Sequence, residues 1–223
     1  MMSGVAILDM DGTLLSRRSI DVFCTVLGLT EKLAEIDKLS PDLPAYRVSE
    51  MIAAFFEGVP RHRLESIFDA IPLSDGADEF VSHLKSKGFF IAIATDSYEF
   101  LAERLARKIG ADTVYGNIVE MRDGLLTGKL LTKPRCLKIR GCRQYSTCKL
   151  SFMRELSGRV GGLTLAVGDG ESDFCAISEA DMGVAFRPKA QSIVMVADTV
   201  ASNYSEVKSW LQREITTRRC QSR

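Results

Sequence analysis

Short apolar runs alternate along the chain with segments of helical periodicity. Four runs predict buried β-strands: Val5–Leu8, Phe89–Ala94, Leu163–Val167 and Gly183–Phe186. Between them, apolar residues recur every three or four positions, as around Phe80, Leu101 and Phe152. Strands that are apolar throughout are typical of a parallel sheet covered on both faces. The pattern therefore predicts an α/β fold with a doubly wound, Rossmann-like parallel sheet.

The segment from residue 16 to residue 74 does not follow this alternation. Its apolar residues fall at helical spacing, at Val48, Ile52 and Phe56 and again at Leu64 and Phe68. Prolines and glycines separate the helical stretches. We therefore predict a small helical cap domain at residues 16–74, inserted into an α/β core formed by residues 1–15 and 75–223.

A β-hairpin is predicted between residues 118 and 131. The dipeptide Asp123-Gly124 stands between two apolar stretches, at residues 118–122 and 125–131. Asp-Gly readily adopts the positive φ angles that a tight two-residue turn requires, so the two stretches are expected to pair as antiparallel strands.

The composition is that of a globular protein without net charge. Lys and Arg together number 29, and so do Asp and Glu. Nucleic acid or a membrane surface would be held by a strong net field, so neither partner is expected. No apolar run approaches the roughly 18 residues that span a bilayer, and no basic segment precedes the first strand. We expect a cytoplasmic chain.

The sharpest polar motif is Asp9-Met10-Asp11-Gly12-Thr13, directly after the first predicted strand. Two carboxylates that stand two residues apart point the same way while the strand alternation holds. One can attack a substrate while the other transfers a proton, and both can gather around a cation. Asp-Gly is also common in surface turns, so the motif alone leaves a structural explanation open.

Three further polar groups lie at or between the ends of the predicted strands. Thr95-Asp96-Ser97 ends the second strand and is expected to open a helix, where hydroxyls and free backbone N–H groups suit a phosphate. Gly168 to Asp173 ends the third strand and carries carboxylates, and Lys149 precedes a helical pattern. Open α/β sheets bind ligands at the carboxyl ends of their strands, where these residues are expected to meet.

These motifs, in this order, resemble those of the haloacid dehalogenase superfamily, on its phosphatase side. The resemblance extends over most of the chain and includes a cap inserted directly after the first motif. The stretches 166–173 and 183–198 are further similar to phosphoserine phosphatases. The resemblance implies a phosphomonoester hydrolase that forms an aspartyl-phosphate, uses Mg²⁺ and acts on a small phosphorylated metabolite.

The resemblance also assigns a role to each matching residue. The implied roles are nucleophile for Asp9, general acid/base for Asp11, and phosphoryl binding for Thr95 and Lys149. The implied magnesium ligands are Asp9, Asp11, Asp169 and Asp173, the last of which either binds the ion itself or holds one of its ligands in place. A phosphomonoester dianion repels a carboxylate nucleophile, so a cation and a lysine have to neutralise the site before attack. Mg²⁺ prefers oxygen ligands and keeps some of its waters, so two or three carboxylates suffice.

The chain departs from phosphoserine phosphatases at positions that bear on the substrate. Those enzymes usually carry a glutamate for the substrate ammonium where this chain has Arg18. An arginine favours a second anionic group instead, unless Arg18 is a solvated surface residue. Arg47 is a candidate for binding a substrate carboxylate. Asp96 and Ser97, in the second motif where glycines are common in that branch, are also expected to contact the substrate.

A basic, cysteine-containing stretch at residues 129–154 has no counterpart among these motifs. Eight basic residues and no acidic ones lie between Asp123 and Glu155. The stretch either recruits an anionic substrate or partner, or forms a solvated loop.

Two other functions remain open from the sequence. A phosphotransferase would use the same residues but pass the phosphoryl group to an alcohol instead of water. A receiver-like phosphorylation switch also uses a strand-end aspartate, acidic neighbours and a lysine. Such a switch needs only about 120 residues and has no inserted cap, so the length of this chain argues against it.

Overall fold

All four predicted strands form, and two further strands join them in one parallel sheet. The computed structural model describes residues 4–133 and 142–221, with side chains as far as residue 217. The strands lie in the order β3 (Thr113–Asn117), β2 (Phe89–Tyr98), β1 (Gly4–Leu8), β6 (Leu163–Gly168), β7 (Met182–Phe186) and β8 (Thr199–Ala201). Every neighbouring pair is parallel, which confirms the predicted doubly wound α/β fold.

Helices cover both faces of this sheet. One face carries α5 (Ala77–Ser86), α6 (Glu99–Ile109) and α10 (Tyr204–Gln221), and the other α7 (Lys149–Val160), α8 (Phe174–Glu179) and α9 (Gln191–Val194). Side chains of β1 alternate between the two cores, with Ala6 and Leu8 in one and Val5 and Ile7 in the other. Both faces of β1 are therefore apolar. In the described part of the chain, no helix combines the length and apolar character needed to cross a bilayer.

The inserted segment is helical, as its periodicity predicts. Its helices are α1 (Ser19–Val26), α2 (Thr30–Leu39), α3 (Ala45–Ala54) and α4 (Arg61–Asp69). Phe56 is fully buried and meets the rings of Phe23 and Tyr98 edge-on, with centroids 6.1 and 6.0 Å away. Because Tyr98 ends β2, this aromatic contact joins the inserted helices to the sheet.

The predicted hairpin forms, and it packs against the inserted helices. Its antiparallel strands are β4 (Val119–Arg122) and β5 (Leu125–Leu130). Gly58 N–H donates to the Leu126 carbonyl at 2.8 Å, and Arg61 N–H to the Gly124 carbonyl at 2.9 Å. A chain segment assigned to the predicted core range 75–223 thus lies on the helices of residues 16–74. The division of the chain at these boundaries stays a prediction.

The prediction that Thr95-Asp96-Ser97 opens a helix is wrong. Strand β2 continues to Tyr98, and α6 begins only at Glu99. Pairing of β2 with β3 is continuous as far as Ala94 and resumes at Tyr98, so the residues between bulge out of register. This irregularity replaces the helical turn that the hydroxyl-rich sequence suggested.

Candidate active site

The carboxyl ends of β1 and β6 lie side by side at the point where the strand order reverses. Leu8 is in register with Val167, and the Asp9 N–H donates to the Val167 carbonyl at 2.9 Å. Asp9 and Asp169 therefore leave adjacent strands at the same edge. In open α/β sheets, this reversal point is where ligands bind.

Three buried carboxylates meet at this edge. Asp9, Asp169 and Asp173 each bring one oxygen to within 4.8 Å of the others. A Cβ atom on Gly168 would lie 2.0 Å from the carboxyl carbon of Asp173, and one on Gly12 would lie 2.1 Å from Asp169 Oδ2. The absence of a side chain at both glycines is what lets the carboxylates approach each other.

Lys149, the first residue of α7, compensates part of this negative charge. Its Nζ lies 2.5 Å from Asp9 Oδ1 and 2.7 Å from Asp173 Oδ1, and the side chain is only 1% exposed. Burial lowers the pKa of Lys149, but the surrounding carboxylates outweigh this effect and raise it above its ordinary value. Burial raises the pKa of Asp9, against the opposing charge of Lys149. Lys149 therefore keeps its positive charge, which offsets part of the negative charge of Asp9.

The remaining charge fits a divalent cation. Asp169 Oδ2 is buried and, among the described residues, receives no well-directed hydrogen bond; the Lys189 ammonium lies 2.7 Å from it. Burial raises the pKa of Asp169, and Lys189 opposes the rise. Three carboxylates that outnumber the two lysine ammonium groups beside them are the type of donor set that Mg²⁺ prefers. The residues that fit as its ligands are Asp9, Asp169 and Asp173.

The carboxylate of Asp11, predicted as a fourth ligand, is not one of this group. It faces the start of α1, where Ser19 N–H donates to Oδ1 and the Ser19 hydroxyl to Oδ2, each at 2.9 Å. Burial raises the pKa of Asp11 to about 6, and the two bonds from Ser19 limit the rise. A carboxyl that exchanges its proton near neutral pH suits general acid/base catalysis.

A cavity of about 320 Å³ opens over these groups. Its size is at the lower end for small-ligand pockets. Its walls come from the sheet edge, the inserted helices and the segment before α7. The polar residues that line it are Asp9, Asp11, Arg18, Ser40, Ser49, Thr95, Asp96, Ser97, Tyr98, Asn117, Arg143, Tyr145, Asp169, Glu171, Ser172 and Lys189.

The second motif contributes buried polar groups that are already hydrogen-bonded. Thr95 Oγ1 accepts the Ser97 N–H at 3.0 Å. Asp96 accepts the Thr147 hydroxyl on its carboxylate and the Asn117 side-chain amide on its carbonyl, the latter at 2.6 Å. Burial raises the pKa of Asp96, against the charge of Lys149. All three residues of the motif line the cavity.

The structure brings only one of the two predicted substrate arginines to the cavity. Arg18 lines it, and its guanidinium lies 3.1 Å from Asp21 and 3.8 Å from Asp37. Arg47 is not among the described residues that line it. Its side chain is 59% exposed and pairs with Glu50 at 2.8 Å. Val48 and Ile52 take the cavity face of α3, which leaves Arg47 on the outer side.

Several cavity residues were not singled out by sequence reasoning. Lys189 follows β7 closely, so the expectation that ligands bind at the carboxyl ends of the strands, which indicated Asp9 and Asp169, applies to it as well. Asn117 ends β3, a strand that was not predicted. Arg143 belongs to the basic stretch and donates to the carbonyls of Ser40 and Leu43. Of the other basic residues in that stretch, these lie outside the described residues: Arg135, Lys138 and Arg140.

The sequence matches known proteins over most of its length. It fits the family model of haloacid dehalogenase-like hydrolases over residues 6–178. The phosphoserine phosphatase of Streptococcus thermophilus is 30% identical over 193 residues, which cover 83% of this chain and 85% of that protein. The phosphoserine phosphatase of Archaeoglobus fulgidus is 28% identical over 188 residues, which cover 82% of this chain but only 52% of that protein.

Solved structures share the fold. One described as a phospho-aspartyl intermediate analogue of phosphoserine phosphatase superposes with a TM-score of 0.81, covering 94% of this chain and 99% of that one. At 21% identity, this likeness establishes the fold alone. The family model, by contrast, spans well over half of the sequence. The chain therefore belongs to the haloacid dehalogenase-like hydrolase family, on its phosphoserine-phosphatase-like branch, and is an enzyme of the phosphatase class.

Proposed function

We propose that this phosphatase hydrolyses a small phosphorylated metabolite through an aspartyl-phosphate on Asp9. The observation that carries the proposal is the buried contact of Lys149 with Asp9, at the strand end that opens into the cavity. The lysine holds Asp9 Oδ1 and offsets the charge that would repel a phosphate dianion. The inserted helices and the family match favour this function over a receiver-like switch.

In the proposed reaction, an oxygen of Asp9 attacks phosphorus while the bond to the leaving-group oxygen breaks. Protonated Asp11 donates its proton to that oxygen, and ionised Asp11 then takes a proton from the water that hydrolyses the aspartyl-phosphate. Thr95 and Lys149 hold the phosphoryl oxygens. A bound Mg²⁺, held by Asp9, Asp169 and Asp173, would supply positive charge that offsets the charge of the phosphoryl group.

Phosphate release from a panel of phosphorylated metabolites tests this function. The panel includes phosphoserine, phosphoglycolate and sugar phosphates, each with and without an added alcohol acceptor. A hydrolase releases inorganic phosphate at the same yield in both conditions, whereas a phosphotransferase converts the acceptor to a new ester. Failure to cleave any phosphomonoester would refute the proposal.

Removal of divalent cations is expected to abolish activity. Lys149 and Lys189 together cannot balance three carboxylates and a phosphate dianion, so EDTA treatment should stop phosphate release and Mg²⁺ should restore it. Ca²⁺ should inhibit, because it accepts more oxygen ligands and can engage both oxygens of Asp9. Full activity in metal-free buffer would contradict the predicted cation dependence.

The leaving group is expected to be anionic or neutral, with phosphoserine a weaker substrate. Arg18 lines the cavity, and a charge-assisted bond to an anion is worth about 1.5–3 kcal/mol. The variant Arg18→Gln removes this charge without placing a third acid beside Asp21 and Asp37. We expect kcat/KM for phosphoglycolate relative to phosphoserine to fall about tenfold or more in this variant.

Arg47→Gln is the matched control, because Arg47 lies on the outer side of α3. It should leave the relative kcat/KM of the two substrates near the wild-type value. If phosphoserine is the best substrate and Arg18→Gln leaves the ranking unchanged, Arg18 has no part in selecting the leaving group.

A further inference from the structure

Both carboxylate oxygens of Asp11 are bound by a single residue. Ser19 donates its backbone N–H to Oδ1 and its hydroxyl to Oδ2, each at 2.9 Å, and is itself fully buried. Ser19 is the first residue of α1, and the preceding Arg18 makes no side-chain capping bond. The first N–H groups of a helix have no partner within it, so Asp11 fills a place that local sequence leaves open.

Ser19 is in turn tied to the sheet. Its hydroxyl lies 2.9 Å from the Ser97 hydroxyl, and the Ser97 N–H donates to Thr95 Oγ1 at 3.0 Å. A hydroxyl has one proton, so when Ser19 donates to ionised Asp11, Ser97 donates to Ser19. A hydrogen-bonded series thus runs from Asp11 through the start of α1 to the phosphoryl-binding motif of β2.

This series fixes the direction of the Asp11 carboxyl. Each of its two oxygens accepts one hydrogen bond from Ser19, so rotation of the Asp11 carboxyl group would break both hydrogen bonds. Ser19, which supplies both donors, belongs to the inserted helix α1. Ser97, which contacts the Ser19 hydroxyl, belongs to strand β2 of the sheet. The direction of the carboxyl therefore depends on where α1 begins, and the contact of the Ser19 hydroxyl with Ser97 ties that point to β2.

We propose that Ser19 and Ser97 are positioning residues that aim the Asp11 carboxyl at the leaving-group oxygen. This role depends on the proposed function, in which Asp11 protonates that oxygen. Sequence comparison with phosphoserine phosphatases placed Ser97 among the substrate contacts; its bond to Ser19 supports a different role. Neither serine needs to touch the substrate to affect the rate.

The leaving group distinguishes positioning from a structural role. An alkyl phosphate expels a basic alkoxide that needs the proton, whereas p-nitrophenyl phosphate expels a stabilised phenolate that needs it far less. Loss of proton donation therefore slows the alkyl ester selectively. Loss of folded enzyme or of a binding wall slows both esters alike.

The test compares kcat/KM for the two esters in Ser19→Ala and Ser97→Ala. This parameter covers the steps up to formation of the aspartyl-phosphate and excludes its hydrolysis. General acid catalysis contributes about 10²–10⁴-fold to the rate in total. We therefore expect kcat/KM for the alkyl ester to fall about tenfold or more. For the aryl ester, kcat/KM should stay within about threefold of the wild-type value. Ser19→Thr keeps both donors and should restore most of the loss.

Asp11→Asn sets the upper limit of the effect. In that background, Ser19→Ala should cost little more, because no acid remains to be aimed. Thr25→Ala is the matched control: Thr25 lies in the same helix, and among the described residues its hydroxyl donates only to the Asp21 carbonyl, at 2.8 Å. Its two kcat/KM values should stay near wild type, and thermal unfolding should show that all variants are folded.

Equal losses for both esters in the serine variants would overturn the proposal, as would a full additional loss in the Asp11→Asn background. If Ser19→Ala fails to fold, Ser97→Ala gives the same comparison from the sheet side. Wild-type enzyme that cleaves neither ester would refute the proposed function itself, which separates the two failures.

Discussion

Asp9→Asn is expected to abolish phosphate release. An amide cannot form the acyl-phosphate, and the substitution hardly changes the shape of the side chain. Lys149 loses the charge of Asp9 in this variant but keeps its contact with Asp173 at 2.7 Å, so its ammonium is not left without a counter-charge and the variant should still fold. Phosphate release measured with the best substrate of the panel, beside a thermal unfolding curve, separates lost chemistry from lost structure.

Asp123→Asn is the control for that experiment. Asp123 is exposed at the hairpin turn with a φ of 51°, a conformation that asparagine tolerates well. Its activity should equal that of the wild type. A residual rate of more than a few per cent in folded Asp9→Asn would exclude Asp9 as the covalent nucleophile.

Lys149→Met is expected to damage both activity and stability. Removing one partner of a buried ion pair typically costs about 3–5 kcal/mol, because the remaining charge is left uncompensated. Here two carboxylates, Asp9 and Asp173, lose the same ammonium. Removal of one preorganised charge-stabilising donor usually lowers kcat by about 10²–10³-fold, so we expect a loss at least that large.

The loss of stability should depend on pH. The pKa of Asp9 is already raised by burial, and it will rise further without Lys149. A carboxyl whose folded-state pKa exceeds its unfolded-state pKa favours folding more as pH falls. Urea unfolding of the metal-free proteins should therefore show that the free energy of unfolding of Lys149→Met lies closer to the wild-type value at acidic pH than at neutral pH. Lys87→Met, at a partly exposed lysine whose ammonium donates to Gln212, should unfold like the wild type at both pH values.

Much of the fold could be predicted because burial on both faces leaves a strong signal. The central strands are apolar at nearly every position before their polar carboxyl ends, and the inserted helices show clear periodicity. The edge strands escaped detection: Thr113–Asn117 is half polar, and Thr199–Ala201 has only three residues. The hairpin turn was visible in Asp123-Gly124, but no local signal indicated that its strands pack on the inserted helices.

The candidate site was predictable where its residues follow a strand end. Asp9 and Asp169 do so, and Thr95 lies where the pairing of β2 with β3 becomes irregular; the parallel sheet brings all three to one edge. Ser19 could not be found in this way, because its importance arises from tertiary contact between a helix start and Asp11. Arg47 is the opposite case: an arginine suits a substrate carboxylate, but this one lies on the outer face of α3, away from the cavity.

The aspartyl-phosphate on Asp9 can be observed directly. Enzyme is mixed with saturating substrate and Mg²⁺, quenched in acid within the first turnover, and digested for mass spectrometry. We predict a phosphoryl group on the peptide that contains Asp9, present at early times and absent from Asp9→Asn. A phosphoryl group on another residue, or turnover without any adduct at any quench time, would contradict covalent catalysis by Asp9.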